Sequence, residues 1–141
     1  MREVFADACY WIALLIETDE LHESAVQASN NLNNALVITT DSVFLEVFNF
    51  VSKRGETLRQ AAVSIHRELL NDNNVSIIPQ SRTHFNSAVL LFEKRKDKNY
   101  SLTDCYSMIE MRSRKINEIL TNDHHFAQEG FQILLKLDRE K

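Results

Sequence analysis

Four carboxylates stand where they could do chemistry together: Asp7, Glu46, Asp104 and Asp123. Asp7 ends the apolar run Val4-Phe5-Ala6, and Asp123 closely follows Ile119-Leu120-Thr121. Glu46 falls in phase with Val43, Val47, Phe50 and Val51, on the apolar stripe of a helix. Asp104 closes Ser101-Leu102-Thr103-Asp104, an S-x-x-D helix start.

Each acid has a local explanation. Asp7 and Asp123 can cap the helices that follow them, and Asp104 can complete a capping box. Glu46 can sit in a buried ion pair, because an uncompensated carboxylate on an apolar face is costly. Taken together, these explanations are weaker. Acids gathered at one place repel and raise each other's pKa values. A hard divalent cation relieves that repulsion, and an all-oxygen donor set suits Mg²⁺ or Mn²⁺. The chemistry of such a site is hydrolysis of a phosphodiester, with a water oriented and the leaving oxygen stabilised.

The elements that must position the acids are legible in the hydrophobic pattern. Strands are expected at Val4 to Ala6, Ala35 to Ile38, Val75 to Ile78, Glu118 to Thr121 and Phe131 to Leu135. Helices are expected over Cys9 to Ile16, Asp19 to Asn34, from Thr39-Thr40-Asp41-Ser42 to Lys53-Arg54-Gly55, and over Leu58 to Leu70. Phe85, Ala88, Val89 and Phe92 mark a further helix, Leu102 to Lys115 is the next, and His124 to Gln128 is a short turn of helix. Short apolar strands alternating with amphipathic helices give an α/β fold with a mostly parallel central sheet flanked by helices. In such sheets functional groups collect beyond the carboxyl ends of the strands, where the acids following Ala6 and Thr121 would lie.

At 141 residues the chain is expected to form one domain, residues 1–141, with the charged stretch 136–141 as a loose tail. An apolar fraction of 44% argues against disorder. Only 2 glycines and 1 proline argue against turn-dense all-β architectures. The net charge of −4 excludes a general nucleic-acid-coating role and leaves room for a local basic patch. Cys9 and Cys105 have no zinc-like spacing and suit a reducing cytoplasm. Neither a signal-peptide core nor a run of membrane-spanning length is read. There is no P-loop and no GxGxxG.

Other side chains have plainer roles open to them. His124 and His125 beside Asp123 are expected to pack or meet solvent rather than hold a metal, and His22 to make a structural hydrogen bond. Lys53-Arg54, Lys94-Arg95-Lys96 with Lys98, and Arg112, Arg114 and Lys115 are the basic candidates for phosphate contact. Tyr100 is a better candidate for base stacking than Tyr10 or Trp11, which lie in an apolar run.

Most of the chain resembles the PIN-domain family and, within it, toxin ribonucleases of the VapC type. Phe5-Ala6-Asp7-Ala8-Cys9-Tyr10-Trp11-Ile12-Ala13-Leu14-Leu15 looks like the family's first strand, acid and helix, with Asp19 and His22 resembling a following Asp-x-x-His. Thr39-Thr40 with Glu46, Ser101 to Asp104, and Leu120 to Phe126 with Gly130-Phe131 look like the later motifs. The resemblance implies a three-layer PIN-like sandwich with Asp7, Glu46, Asp104 and Asp123 as metal-binding acids, supported by Thr121, Ser101 and Thr103. It implies a Mg²⁺- or Mn²⁺-dependent endoribonuclease, a homodimer, and a small antitoxin as partner. One position departs from the family: Cys9 stands where a small hydroxyl residue or Asn is usual. The rivals are a non-catalytic interaction module and an acidic-site phosphatase. The latter lacks its D-x-D, since the stretch is Asp7-Ala8-Cys9.

Overall fold

The structure, a computed structural model, describes residues 1–140. Its elements run β1 (Glu3–Ala6), α1 (Ala8–Leu15), α2 (His22–Asn30), β2 (Leu36–Thr40), α3 (Asp41–Val51) and α4 (Glu56–Leu70). They continue with β3 (Val75–Ile78), α5 (Arg82–Lys94), α6 (Leu102–Ser113), β4 (Glu118–Leu120), α7 (His124–Gln128) and β5 (Gln132–Ile133). The five strands form one sheet in the order β3-β2-β1-β4-β5, and every neighbouring pair is parallel. This is the α/β sandwich with a parallel central sheet expected from the pattern.

The first strand lies in the middle. The chain adds β2 and then β3 on one side, and crosses back to place β4 and β5 on the other. The strand order therefore reverses between β1 and β4, and a crevice opens beyond their carboxyl ends. Val4, Phe5, Ala6, Ile119 and Leu120 are fully buried, as central parallel strands covered on both faces require. Phe5 pairs with Ile38 on one side and Ile119 on the other, and Ala6 pairs with Leu120. That register brings Asp7 and Thr121 side by side.

Helix α1 is buried through Ala8, Tyr10, Trp11 and Ala13, with the Trp11 ring 4.8 Å from Tyr10 and 5.6 Å from Phe44 of α3. Helix α3 buries Val43, Phe44, Val47 and Val51. Its start is fixed by the Thr40 hydroxyl, which accepts from Val43 N–H at 3.1 Å. Thr39 is buried and donates to Ala6 O at 2.9 Å, tying β2 to β1 just below the sheet edge.

Some expected boundaries shift. Helix α2 begins at His22, where the Asp19 side chain accepts from Leu21 N–H, and ends at Asn30 instead of Asn34. Asn33 and Asn34 take positive φ values of 49° and 66°, which Asn tolerates better than most residues and which a helix forbids. In α5 the inward face is Ala88 and Leu91, while Val89 and Phe92 are exposed. Strand β5 spans only Gln132–Ile133. The segment expected to trail freely is tied down over residues 136–140. Leu137 is buried, Lys136 N–H donates to Ser24 Oγ at 3.0 Å, and Asp138–Glu140 forms a 3₁₀ turn. Lys141 lies outside the described residues.

Candidate active site

The four acids arrive from four different elements. Asp7 follows β1, Glu46 projects from the second turn of α3, Asp104 lies in the first turn of α6, and Asp123 precedes α7. All four line one open pocket of about 440 Å³, together with Ala8, Cys9, Ile12, Leu21 and Asn122.

Asp7 occupies the N-cap position of α1 but makes no side-chain cap hydrogen bond. Its carboxylate instead accepts from the Thr121 hydroxyl at 2.9 Å, across the β1–β4 boundary. The same hydroxyl oxygen accepts from Asp123 N–H at 3.1 Å and lies 3.2 Å from Cys9 Sγ. A hydroxyl has one proton to give. With that proton on Asp7, the Cys9 thiol must be the donor toward Thr121. The chain's departure from a hydroxyl at this position thus leaves the contact in place: the thiol supplies a weaker donor, and burial with the neighbouring Asp7 charge pushes it up to about 12, so it stays protonated.

Asp104 does two things at once. It forms the capping box expected from the sequence, with Ser101 N–H donating to its Oδ2 at 3.2 Å and Asp104 N–H donating to Ser101 Oγ at 3.0 Å. It also faces the pocket. Glu46 is half-buried among the α3 apolar residues, and Thr103 beside it offsets part of the rise that burial imposes on its carboxyl. Asp123 caps α7 by accepting from His125 N–H at 2.9 Å.

The electrostatics are those of crowded like charges. Burial, and then the charge of Asp104, pushes Asp7 from 3.8 up to about 7, against the opposing hydrogen bonds from Ala8 and Thr121. Burial and Asp104 also raise Glu46, and burial and Asp123 raise Asp104. Asp104 is therefore the acid whose charge weighs most on Asp7 and Glu46. Among the described residues, no lysine or arginine forms an ion pair with any of the four. The donor set is almost wholly hard oxygen with surplus negative charge, which fits a divalent cation.

The two histidines separate. His124 is exposed, with Nε2 3.1 Å from Glu140. His125 turns inward and places Nδ1 3.3 Å from Asp123 Oδ1 and 3.8 Å from Asp104 Oδ2. Little in the sequence signals this, because a residue two positions after an acid shares its face only when a helix cap folds it back.

Beyond this geometry, the sequence matches the PIN domain family over residues 4–131. The chain belongs to the PIN domain family. The fold of this PIN domain is similar to that of VapC20 from Mycobacterium tuberculosis, described as a sarcin-ricin loop cleaving toxin. The TM-score is 0.81 at 23% identity, over 91% of this chain and 95% of that one. It is similar also to FitAcB from Neisseria gonorrhoeae, with TM-score 0.66 at 13% identity over 93% and 96% of the two chains. VapBC2 from Rickettsia felis, bound to a DNA fragment from its promoter, matches with TM-score 0.67 at 13% identity over 93% and 96%. No curated protein sequence matches the chain.

The basic residues of the PIN domain are partly committed elsewhere. Arg95 and Arg112 pair with Glu129, Arg114 with Glu110, and Arg2 with Glu118. Tyr100 is buried, with its hydroxyl on Glu129, so its ring is not a free stacking platform. No helix among the described residues is long and apolar enough to cross a membrane.

Proposed function

We propose that this PIN domain is a divalent-metal-dependent endoribonuclease and the toxin of a toxin–antitoxin pair. The observation that carries the reading is the convergence of Asp7, Glu46, Asp104 and Asp123 on one pocket in which no arginine or lysine among the described residues answers their charge. The likeness of the fold to VapC20, a toxin that cleaves the sarcin-ricin loop, supports RNA as substrate. The likeness to VapBC2 supports a protein partner encoded with it.

On this reading, Mg²⁺ or Mn²⁺ is held by Asp7, Asp104, Asp123 and Glu46. Once bound, such a cation supplies Lewis acidity toward a phosphodiester and makes a water easier to deprotonate. The rest is done by this chain's own side chains. Thr121 fixes one oxygen of Asp7 and the Asp123 backbone together, which holds the two strand-end acids in register. Ser101 locks Asp104 against the α6 terminus. Each hydrogen bond removes a rotamer choice at a group that must be placed before substrate arrives. Exposed Lys94, Lys96 and Lys98, at the end of α5 and just beyond it, are free to meet RNA phosphates. We place the protein in the cytoplasm, as a homodimer whose mass light scattering would report.

The test is incubation of purified protein with total RNA in Mg²⁺, Mn²⁺ or EDTA, beside Asp7→Asn and Asp104→Asn. Discrete fragments that need both the metal and the two acids are expected. Metal-dependent cleavage retained in both variants would overturn the assignment.

A further inference from the structure

Beside the carboxylates lies a buried nitrogen. His125 Nδ1 is inaccessible to solvent and has no hydrogen-bond partner. Yet it lies 3.3 Å from Asp123 Oδ1 and 3.8 Å from Asp104 Oδ2. One donor atom from each of Asp104, Asp123 and His125 falls within 4.8 Å of the others.

This arrangement is poor for any tautomer of a bare imidazole. A lone pair on Nδ1 would face two carboxylates that are themselves electron-rich. A proton on Nδ1 finds neither carboxylate aligned to accept it, although both are close. A cation between the three groups turns every one of these lone pairs into a ligand. Nδ1 stands 3.3 Å and 3.8 Å from the two carboxylate oxygens, inside the span of about 3 to 4.2 Å that donors sharing one divalent cation keep between them. The ring is also held in place. Its centroid lies 5.1 Å from that of Tyr100, whose hydroxyl is fixed by Glu129 at 3.0 Å. His125 N–H caps back onto Asp123, so backbone and ring address the same acid.

We propose that His125 is an imidazole ligand of the cation, through Nδ1, completing a donor set with Asp104 and Asp123. The inference rests on the metal-dependent reading of the site and deepens it. Its consequence is selectivity. Nitrogen donors favour Mn²⁺ and later transition ions over Mg²⁺, which prefers oxygen and keeps its waters. The site is then biased toward Mn²⁺ by one residue that an all-carboxylate reading passes over.

The experiment is pulsed electron paramagnetic resonance of the full chain loaded with Mn²⁺, alongside Mn²⁺ and Mg²⁺ titrations of wild type, His125→Gln, His124→Gln and Asp104→Asn. The expected result is a nitrogen coupling to Mn²⁺ in wild type and in His124→Gln that is lost in His125→Gln. His125→Gln should weaken Mn²⁺ binding about tenfold or more, while Mg²⁺ binding moves less than about threefold. Mn²⁺ that binds wild type in an Asp104-dependent way without nitrogen coupling would overturn the ligand assignment and leave the nuclease reading standing. Absence of any Asp104-dependent Mn²⁺ binding would overturn both. The wild-type spectrum decides the point even where a variant folds poorly.

Discussion

Two acidic centres in this molecule meet opposite fates. Glu129, in the turn after α7, is gripped by Arg95 Nε at 2.6 Å, Arg112 Nη2 at 2.6 Å and the Tyr100 hydroxyl at 3.0 Å. Burial alone would push its carboxyl up, but Arg95 and Arg112 outweigh it and carry the group down to about 2. At the sheet edge, Asp7 is also buried, but its nearest charges are other acids, and it rises to about 7. Both centres are made of carboxylates taken out of water. One is completed by the protein's own cations, and the other is left for a cation from outside. Negative charge gathered without an answer is costly to the fold, so its presence points to chemistry rather than to stability.

The largest way to sharpen that contrast is at the hub of the open centre. Asp104→Asn should lower metal-dependent RNA cleavage about a hundredfold or more while leaving the circular dichroism spectrum and melting cooperativity intact. The amide can still accept from Ser101 N–H, so the helix start survives. Loss of folding in this variant would show that the capping role dominates.

The second effect runs against intuition. In EDTA, Asp7→Asn should stabilise the protein. The wild-type carboxyl titrates near 3.8 when unfolded and at about 7 when folded. Between those values the folded state binds the extra proton, so wild-type stability falls as pH rises through that window. The gain from Asp7→Asn should be small near pH 4 and grow to at most about 4 kcal/mol above pH 7. Denaturant melts at pH 4.5 and 8 check it, and an equal effect at both would remove the electrostatic explanation.

The third lies at the closed centre and has the opposite sign. Glu129→Gln should cost about 2 kcal/mol at neutral pH, because two guanidinium groups lose their partner. The wild-type contribution is present above its unfolded value near 4.5 and is lost as pH falls toward 2. Cleavage in Glu129→Gln should fall less than in Asp104→Asn, and a loss as large would make the closed centre part of the catalytic machinery.

The smallest effect belongs to Cys9. Cys9→Ser keeps a donor toward Thr121 and should change cleavage by less than about threefold, measured as initial rates in Mg²⁺. Cys9→Ala, which leaves that oxygen one donor short, should fall further. Equal rates in both would show that the Cys9–Thr121 contact does not help to hold Asp7.

Sequence reading reached far in this chain where the signal is local and periodic. The strands at Val4 to Ala6 and Val75 to Ile78 stand where the apolar runs placed them, give or take a residue. The Ser101–Asp104 capping box is present with both of its hydrogen bonds, because such a cap is contained within four residues. Val43, Val47 and Val51 are buried on the stripe that also carries Glu46, as helical spacing demands. Reading fell short where a neighbour distant in sequence decides. The inward face of α5 turned out to be Ala88 and Leu91, chosen by packing against α6. Residues 136–140 look like a charged tail, yet Ser24 and Asn122 hold them.

The sequence by itself determined the secondary-structure order, the parallel α/β architecture and which acids stood in suspicious places, because periodicity, caps and strand ends are written over a few residues. Only the tertiary structure decided that the Thr121 hydroxyl would join Asp7 to Asp123, that His125 would turn in while His124 turned out, and that Arg95 and Arg112 would be spent on Glu129 rather than on the open site. Those outcomes depend on which side chains share a low-dielectric space, and the crossing of β4 back beside β1 creates that space.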